Sequence, residues 1–305
     1  MTRAFSGLKA ATLALSLSLA CVTSASAETM GEMFPAYVDW LEPELHEAFG
    51  KLEIRRGSQP LADGKFELRL GEDYYALTGA DARWVLESLW QNLPSPDLQA
   101  IVFHTGTQPL DSSWAVTVYQ DESGHIEDEE AQSMDYQAII DSRQAAEPEL
   151  NRQRREAGLP ELTTVGLTGT PGYDRTTRTL TFSVLLRQQD YAGEILNANA
   201  WVLSRHGFVN LNVLGTAEQA PEVSAVMPEL VSLVALAEGN RYEDYLIGVD
   251  AVAEGGLSAL LGGGAAQAGL IVVALALLKK FGFLLILPAI WLGRMMFGRK
   301  PTGGS

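Results

Sequence analysis

The sequence predicts an α+β protein in which helices pack on a mostly antiparallel sheet, followed by one C-terminal transmembrane helix. The sheet is predicted by short segments of alternating polar and apolar residues, separated by turn residues. After Thr163, several such strands precede a single helix, which is typical of antiparallel α+β folds. The membrane helix is predicted by the 24 uncharged residues from Gly255 to Leu278. At ~1.5 Å per residue, a helix of this length crosses the ~30 Å hydrocarbon core of a bilayer.

Charge is distributed unevenly along the chain. All 38 acidic residues lie between Glu28 and Glu254, with 15 of the 22 Lys and Arg residues, so this part has a formal net charge of −23. Nucleic acid is therefore excluded as an expected partner, because its phosphates would be repelled. Five basic residues follow the uncharged run, whereas Asp250 and Glu254 precede it. By the positive-inside rule, the acidic domain is predicted to be periplasmic and the C-terminus cytoplasmic.

The first 27 residues have the composition of a signal peptide. Two basic residues precede an apolar stretch of eleven residues, 10–20, and Ala25-Ser26-Ala27 is a small-residue cleavage site. Cleavage there would remove Cys21, the only cysteine, so the mature chain would lack disulfides and cysteine-bound metals. In the alternative, Cys21 is the acylated first residue of a lipoprotein. Ser18 disfavours this alternative, because it stands where an aliphatic residue is expected.

These features divide the chain into a signal peptide (1–27), an acidic α+β periplasmic domain (28–254), a transmembrane helix (255–278) and a basic cytoplasmic tail (279–305). The domain is either one unit or two sub-modules split near residue 158. In the tail, the apolar stretch Phe281–Gly293 would be only ~20 Å long as a helix and contains Pro288. It is therefore predicted to lie on the cytoplasmic leaflet as an interfacial helix, the alternative being a hairpin that re-enters the membrane.

The first half of the domain is predicted to mix strands and helices. In chain order they are a helix over Met33–Phe49, strands over Lys65–Leu70 and Tyr74–Leu77, a helix over Thr78–Trp90, strands over Ala100–His104 and Trp114–Tyr119, and a polar helix over Tyr136–Ala157. Pro148 is expected to kink or split the last helix. Strand alternation places Trp114, Val116 and Val118 on one face, which predicts a core position for Trp114.

The second half is predicted to be a group of strands followed by one helix. The strands are Thr163–Thr168, Arg178–Leu186, Ala198–Leu203 and Phe208–Val213. His206-Gly207 predicts a tight hairpin turn between the last two strands. The helix is Pro221–Leu236, which has an apolar stripe along one side. This order of elements resembles small antiparallel α+β modules of the PsbP-like type.

The acidic run Asp121–Glu130 is a candidate metal site only at first inspection. It lacks EF-hand spacing, because Ile126 occupies the position that requires glycine. The pattern favours a turn at Ser123-Gly124, followed by a helix that Asp128 caps. The two glutamates after Asp128 would then occupy the first turn, where the helix dipole favours negative charge.

No catalytic motif is present in the sequence. Walker A, G-x-G-x-x-G, G-x-S-x-G and C-x-x-C patterns are absent, and His46-Glu47 lacks the second histidine of a zinc-binding H-E-x-x-H. The histidines are scattered and are predicted to be surface or turn residues: His46, His104, His125 and His206. The sequence therefore assigns no catalytic residue, no cofactor and no metal ligand.

A set of ordered short motifs extends over nearly the whole mature chain. They are Leu70-Gly71, Tyr74-Tyr75, Asp81-Ala82-Arg83, Pro109-Leu110, Ser113-Trp114-Ala115-Val116, Asp128-Glu129-Glu130-Ala131, Asp135-Tyr136, Asn151, Arg154, Gly158, Tyr173-Asp174, Arg205-His206-Gly207, Leu211-Asn212-Val213, Gly239-Asn240-Arg241-Tyr242, Asp250, Lys279-Lys280-Phe281 and Phe297-Gly298-Arg299-Lys300. With them the chain resembles the bacterial uncharacterised membrane-anchored protein family, domain of unknown function 2167. Leu159 and Ala251 depart from the family pattern. The resemblance implies a topology but no activity.

The sequence favours a membrane-anchored binding or envelope-organising protein of the periplasm over an enzyme, because it contains no catalytic constellation. The expected partners are inner-membrane lipid and another envelope protein. One alternative is a carboxylate-dependent periplasmic hydrolase, and another is a metal sensor that uses the run Asp121–Glu130. A deep cleft with two carboxylates would indicate the hydrolase, whereas an exposed apolar patch would indicate a binding protein.

Overall fold

A seven-stranded antiparallel sheet forms the centre of the protein in a computed structural model that describes residues 28–38, 43–90, 92–129, 131, 135–189 and 191–253. The strands are β1 Ser58–Leu61, β2 Phe66–Arg69, β3 Tyr74–Thr78, β4 Leu98–His104, β5 Ala115–Asp121, β6 Leu162–Asp174, β7 Thr179–Gln188, β8 Glu194–Ser204, β9 Gly207–Thr216 and β10 Val234–Leu236. The large sheet has the order β3-β4-β5-β9-β8-β7-β6, and a smaller sheet has the order β1-β2-β10.

Helices cover both faces of the large sheet. The α-helices of the described residues are α1 Met30–Met33, α2 Pro35–Val38, α3 Pro43–Gly50, α4 Gly79–Trp84, α5 Gln137–Glu156 and α6 Ala220–Ser232. A π-helical turn, Val85–Leu89, continues α4. Short 3₁₀ turns at Ala62–Gly64, Ala217–Gln219 and Tyr242–Asp244 join other elements.

Strands from both halves of the chain meet in the large sheet at the β5–β9 pair. Val116 of β5 lies opposite Val213 of β9, so the early strands β3–β5 continue directly into the late strands β6–β9. Strands β8 and β9 form a hairpin in which Ser204 lies opposite Gly207. The tight turn predicted at this point is therefore confirmed.

The alternation of side chains along each strand builds two separate cores. One face of the sheet, here called the α5 face, contributes Tyr75, Ile101 and Phe182 to a core that includes Ile140 of α5. The opposite face, the α6 face, contributes side chains such as Val116 and Leu211 to a core completed by α6 and the small sheet. The α+β class and the antiparallel sheet are thus confirmed.

Two predicted helices differ from the observed elements at their ends or in their continuity. In the predicted helix Met33–Phe49, Phe34 is not helical and separates α1 from α2. Residues 39–42, with Trp40 and Leu41, lie outside the described residues, so a single helix from Pro35 onward remains a prediction. The predicted helix Pro221–Leu236 ends at Ser232, and Val234–Leu236 forms a strand instead. Pairing with Phe66–Leu68 of β2 satisfies the backbone of that segment, which local periodicity did not reveal.

Of the two alternatives predicted at Pro148, a split of helix α5 is wrong, because the helix is continuous from Gln137 to Glu156, and a kink remains a prediction. Buried residues lie on both sides of the proline: Ile140 and Ala146 before it, and Asn151 and Arg154 after it. Their packing outweighs the cost of an internal proline, which is ~3 kcal/mol or more.

The described part of the chain contains no helix that is both long and apolar enough to cross a membrane. The predicted signal peptide, the run Gly255–Leu278 and the basic tail all lie outside the described residues. These three segments and the domain boundaries drawn from them remain predictions.

Candidate functional site

A groove of about 500 Å³ lies between α6 and the β6–β7 end of the large sheet, and we call it the α6 groove. Its sheet wall carries hydroxyl groups from Thr179, Thr181 and Ser183, which lie at alternate positions of β7 and therefore on one face. The helix wall is mainly apolar and includes Met227 and Val231. The groove can therefore offer hydrogen bonds on one side and apolar contact on the other.

Two aromatic side chains hold α6 in the position that leaves this groove open. The indole Nε1 of Trp114 donates to Glu222 Oε1 at 2.7 Å, and the Tyr74 hydroxyl donates to Glu229 Oε1 at 2.8 Å. Both glutamates lie on α6, which buries Leu230 against the sheet. Because Trp114 and Tyr74 attach one side of α6, the hydroxyl-bearing face of β7 lines the groove on the other side of the helix.

The edge strand β6 shapes the outer rim of the groove. Its pairing with β7 shifts register between Thr164 and Gly166, and again between Thr168 and Gly172. Such bulges bend a strand and increase its twist. Gly169, within the second bulge, has φ +67 and lines the groove together with Thr170. Most other residues would be strained in this conformation.

The groove is nearly free of charge. Among the described residues that line it, Asp174 alone has an ionisable side chain. The backbone N–H of Thr176 donates to Asp174 Oδ1 at 2.7 Å, and this bond lowers the pKa of the carboxyl group. Asp174 is therefore ionised at neutral pH and has no second carboxylate beside it in the groove lining. A carboxylate pair for general acid and base chemistry is not formed by these residues.

A cluster of buried amides lies at the centre of the sheet on the α5 face. Asn197, Asn199, Asn210 and Asn212 are all at most 4% exposed. Asn197 Nδ2 donates to Asn212 Oδ1 at 2.9 Å, and Asn212 Nδ2 donates to Asn199 Oδ1 at 3.0 Å. The Oδ1 atom of Asn210 has no partner among the described residues. Because buried amides must pair with one another, this cluster fixes the register of β8 against β9.

Asn151 and Arg154 attach the end of α5 to the start of β6. The Asn151 side chain makes two hydrogen bonds with the backbone of Leu162, at 2.8 and 2.9 Å. It therefore satisfies the N–H and C=O of Leu162 as a neighbouring strand would. Arg154 Nε donates to Pro160 O at 2.6 Å. The Arg154 side chain is fully buried, and this burial lowers its pKa to about 10. These two motif residues therefore have a structural role here.

The segment Gly239–Ala253 is bound to the body of the protein through a group of residues that we call the C-terminal clasp. The clasp consists of this segment together with residues 124–128, Tyr173, Arg178 and the turn 205–207. Asp128 is central to it. Its carboxylate accepts hydrogen bonds from Tyr173, from Arg178 Nη1 at 2.7 Å and from Tyr242 at 3.0 Å. Burial alone would raise the pKa of Asp128, but these hydrogen bonds outweigh it and lower the pKa. The carboxylate is therefore a stable acceptor at neutral pH.

A bidentate ion pair forms the second contact of the clasp. Arg205 Nε and Nη2 donate to the two carboxylate oxygens of Asp250 at 2.7 and 2.9 Å, and Nη1 donates to Gly239 O. The Arg205 guanidinium lowers the pKa of Asp250 to about 2. Because two parallel hydrogen bonds fix both groups, the pair holds the hairpin turn and the C-terminal segment in one geometry.

His125 forms the third contact of the clasp. It is buried and stacks on Tyr245, with ring centroids 3.9 Å apart, and it also lies 4.5 Å from Tyr242. Burial lowers its pKa, which favours the neutral imidazole. The prediction of a surface or turn position is therefore wrong for His125. His46 and His206 are half-buried and His104 is exposed.

The acidic run Asp121–Glu130 is mainly structural where it is described. Asp121 Oδ1 accepts from the backbone N–H of Ser123 at 2.8 Å, and Asp128 belongs to the clasp. Glu130 and residues 132–134 lie outside the described residues, so the predicted cap at Asp128 remains a prediction. Within the described ranges, no three His, Cys, Asp or Glu side chains are grouped as a metal would require.

The sequence did not identify the groove, although one signal of it was visible. Hydroxyl residues alternate with apolar ones from Thr179 to Val184, which fits a strand whose polar face meets a ligand or solvent. The position of Trp114, in contrast, was predicted correctly: it is 8% exposed and shares a core with Val116 and Val118.

A family comparison covers most of the chain, including the clasp. The sequence model described as protein of unknown function (DUF2167) matches residues 53–290. The chain belongs to the DUF2167 family. Residues from the motifs that suggested this membership meet in the clasp of this DUF2167 protein: Asp128, Tyr173, Arg205, Tyr242 and Asp250.

Other comparisons add little to this membership. No curated protein matches the sequence. The solution structure of cyanobacterial PsbP (CyanoP) from Synechocystis sp. PCC 6803 is similar over 62% of this chain and 95% of that chain, with 10% identity and a TM-score of 0.36. At this TM-score the likeness carries no argument, and the PsbP-like arrangement of Thr163–Leu236 remains a prediction.

Proposed function

We propose that this DUF2167 protein is a non-catalytic binding protein of the bacterial envelope, which holds an extended peptide segment of another envelope protein in its α6 groove. In this proposal the domain is periplasmic and is tethered to the inner membrane by the run Gly255–Leu278. The observation that carries the proposal is the groove itself, whose described lining has hydroxyl groups on one wall, apolar side chains on the other and one carboxylate.

The spacing of the hydroxyl groups favours a peptide. Side chains at alternate positions of a strand are ~6.6–6.8 Å apart, and an extended peptide presents its own side chains and backbone groups at the same interval. The half-buried Thr181 and Ser183 can therefore contact successive repeats of one bound segment, whereas Thr179 is buried and its hydroxyl donates to Thr177 O at 3.0 Å. Met227 and Val231 on the helix wall can contact apolar side chains of that segment.

The charge of the protein favours an uncharged or basic segment. The part of the chain between Glu28 and Glu254 has a formal net charge of −23, so an acidic peptide would be repelled. The hydrolase alternative requires two carboxylates facing one cleft, and among the described residues of the groove lining only Asp174 supplies one. The groove therefore supports binding better than it supports hydrolysis.

Site-specific photocrosslinking in membranes tests this proposal. A photoreactive amino acid at Ser224, which lines the groove, should crosslink to a protein partner, whereas the same group at Ala225, exposed on the neighbouring position of α6, should not. Thr181→Trp, which fills the groove from the sheet wall, should abolish the crosslink from position 224. Equal crosslinking from both positions, or none from either, would contradict the proposal. A product whose added mass is removed by glycosidase would assign the groove to a glycan instead.

A further inference from the structure

Exposed apolar side chains are concentrated in one short segment of the clasp. Large hydrophobic residues that remain exposed in the described part of the chain are Val165, Leu246, Ile247, Val249 and Val252. Four of these five lie within seven residues, and Ile247 and Val249 are 89% and 75% exposed. Single exposed hydrophobic residues are common in soluble domains, but a group at one tip indicates a contact surface.

This segment, which we call the apolar loop (Leu246–Val249), is held in a defined conformation. The backbone N–H of Leu246 donates to Asp250 Oδ2 at 2.7 Å, and the N–H groups of Val249 and Asp250 both donate to Leu246 O at 3.0 Å. Arg205 fixes the Asp250 carboxylate through the bidentate pair. The loop therefore presents its apolar side chains to solvent although hydrogen bonds of Leu246, Val249 and Asp250 hold its backbone.

The apolar loop lies close to the point where the chain leaves the body. Ala253 N donates to His125 O at 2.8 Å, and His125 N donates to Ala251 O at 2.8 Å, so the chain is attached to the body as far as Ala253. The uncharged run that is predicted to span the membrane begins at Gly255. Two residues cover at most ~7 Å, because an extended chain advances by at most ~3.6 Å per residue. The surface of the body near the loop must therefore lie close to the start of that run.

From this placement we propose that the apolar loop inserts into the interfacial layer of the lipid bilayer and seats the domain on the membrane. Ile247 and Val249 would enter the layer between headgroups and acyl chains, where apolar side chains are removed from water. The acidic groups nearest to the loop have partners, and Glu243 lies 3.9 Å from Arg178 Nε. Asp250 is paired with Arg205, and Asp244 accepts a hydrogen bond from the backbone of Arg241.

Lipid is a better occupant of this surface than a second protein. The apolar loop is only four residues long, which is far too small for a stable protein interface, since such interfaces bury ~1,200–2,000 Å². The predicted tether also places lipid within a few residues of the loop. The inference shares this predicted tether with the proposed function, but it does not depend on the α6 groove.

Depth-dependent fluorescence quenching in the full chain tests the inference. Cys21→Ser removes the native thiol. Three single-cysteine variants of this protein are then labelled with an environment-sensitive fluorophore and placed in phosphatidylcholine vesicles: Ile247→Cys, Val165→Cys and Ala266→Cys. The reporter at 266 lies within the predicted membrane run, and Val165 is a matched exposed hydrophobic residue on β6. A nitroxide at the headgroup level should quench position 247 at least about twice as strongly as position 165, whereas position 266 should respond to a nitroxide deep in the acyl chains.

Each other outcome contradicts the inference in a recognisable way. If position 247 is quenched no more than position 165 while 266 is quenched, the loop does not contact lipid and the tether remains. If 266 is also unquenched, the predicted tether and the inference both fail. If fluorophores at 247 quench one another increasingly at higher protein-to-lipid ratio, the loop contacts a second copy of the chain. The crosslinking results at Ser224 are independent of all three outcomes.

Discussion

The Asp128 carboxylate shows how single polar residues connect distant parts of this protein. Its partners Tyr173, Arg178 and Tyr242 lie 45 to 114 positions further along the chain. Arg178 also stacks over the ring of Tyr242, with its guanidinium carbon 4.6 Å from the ring centroid. A charge that is only partly exposed and has several hydrogen-bond partners contributes more than an exposed ion pair, because water screens it less.

At the residue scale, truncation of Trp114 should destabilise the fold. Trp114→Ala removes an aromatic ring from the α6-face core and leaves Glu222 without its donor. We expect a loss of ~3–5 kcal/mol in the free energy of unfolding, through lost transfer energy and the remaining cavity. Thermal melts of the purified protein measure this loss. Glu222→Gln, which keeps an acceptor oxygen for the indole, is the control and should melt nearly as the parent does. An unchanged midpoint for Trp114→Ala would contradict its core position.

The Arg205–Asp250 pair should make stability depend on pH in the acidic range. The pKa of Asp250 is lowered from 3.8 to about 2, so the pair stabilises the folded state above the unfolded pKa. This stabilisation should be lost as the pH falls from ~4 through ~2. Asp250→Asn should have a lower melting midpoint at neutral pH, and the difference from the parent should shrink across this window. A difference that stays constant down to pH ~2 would show that the carboxylate charge is not responsible.

At the element scale, helix α6 and the clasp are positioned by contacts from outside their own sequence. The helix depends on Trp114, which directly precedes strand β5, and on Tyr74, the first residue of strand β3. The clasp depends on a loop, a hairpin turn and the C-terminal segment approaching one another closely. Gly124 shows how closely: a Cβ atom built on it would lie 2.9 Å from Ala253 N.

Gly124→Ala should therefore loosen the clasp. Its φ of +111 disfavours any side chain, and the added methyl group would also collide with the backbone of Ala253. Gly57→Ala is the matched control, because Gly57 also has a positive φ, +69, but has nothing within 4 Å of its Cβ position. We expect Gly124→Ala to lower the melting midpoint more and to expose residues 239–253 to limited proteolysis. Equal effects of the two substitutions would show that backbone strain alone matters.

The continuous helix α5 should become more stable when its internal proline is removed. Pro148 lacks the N–H that would bond to the preceding turn, and its side chain is exposed. Pro148→Ala should raise the free energy of unfolding by ~1–3 kcal/mol, because the helix gains a hydrogen bond and loses a steric conflict. Chemical denaturation measures the change, with Ser142→Ala on the same helix as a control that should have little effect. A decrease in stability would mean that the proline shapes a functional bend.

At the scale of the whole molecule, charge determines the expected orientation in the membrane. The acidic part between Glu28 and Glu254 and the basic residues from Lys279 onward lie on opposite sides of the predicted span. Electrostatic repulsion between the acidic part and anionic headgroups also opposes contact with anionic lipid, so an apolar contact is the better means of seating the domain on the bilayer.

Protease accessibility in spheroplasts should report this orientation. An added protease should digest the acidic domain and leave a C-terminal tag intact, since the positive-inside rule places the tag in the cytoplasm. A tag placed after Ser305 and one inserted in the exposed loop at Gly106 give the paired readout. Protection of the loop tag in intact spheroplasts, with digestion only after lysis, would reverse the predicted orientation.

The sequence by itself predicted many of the local elements correctly, and it predicts a location for this protein. Alternation along Lys65–Leu70 or around Trp114 and the hairpin at His206-Gly207 were predicted correctly, because each depends on residues that are neighbours in the chain. The charge asymmetry and the uncharged run likewise follow from composition alone, and they predict a tethered envelope protein whose membrane segment remains to be tested.

Only the tertiary structure decided which strands are neighbours and where a site is formed. Period-two alternation tells which face a residue occupies but not which strand lies beside it, so the β5–β9 pair could not be predicted. The strand β10 forms in a segment with helical periodicity because β2 offers it backbone partners. The α6 groove and the clasp join residues that are far apart in the chain, up to the 128 positions between His125 and Ala253. Their geometry depends on long-range packing, for which a single sequence contains no local signal.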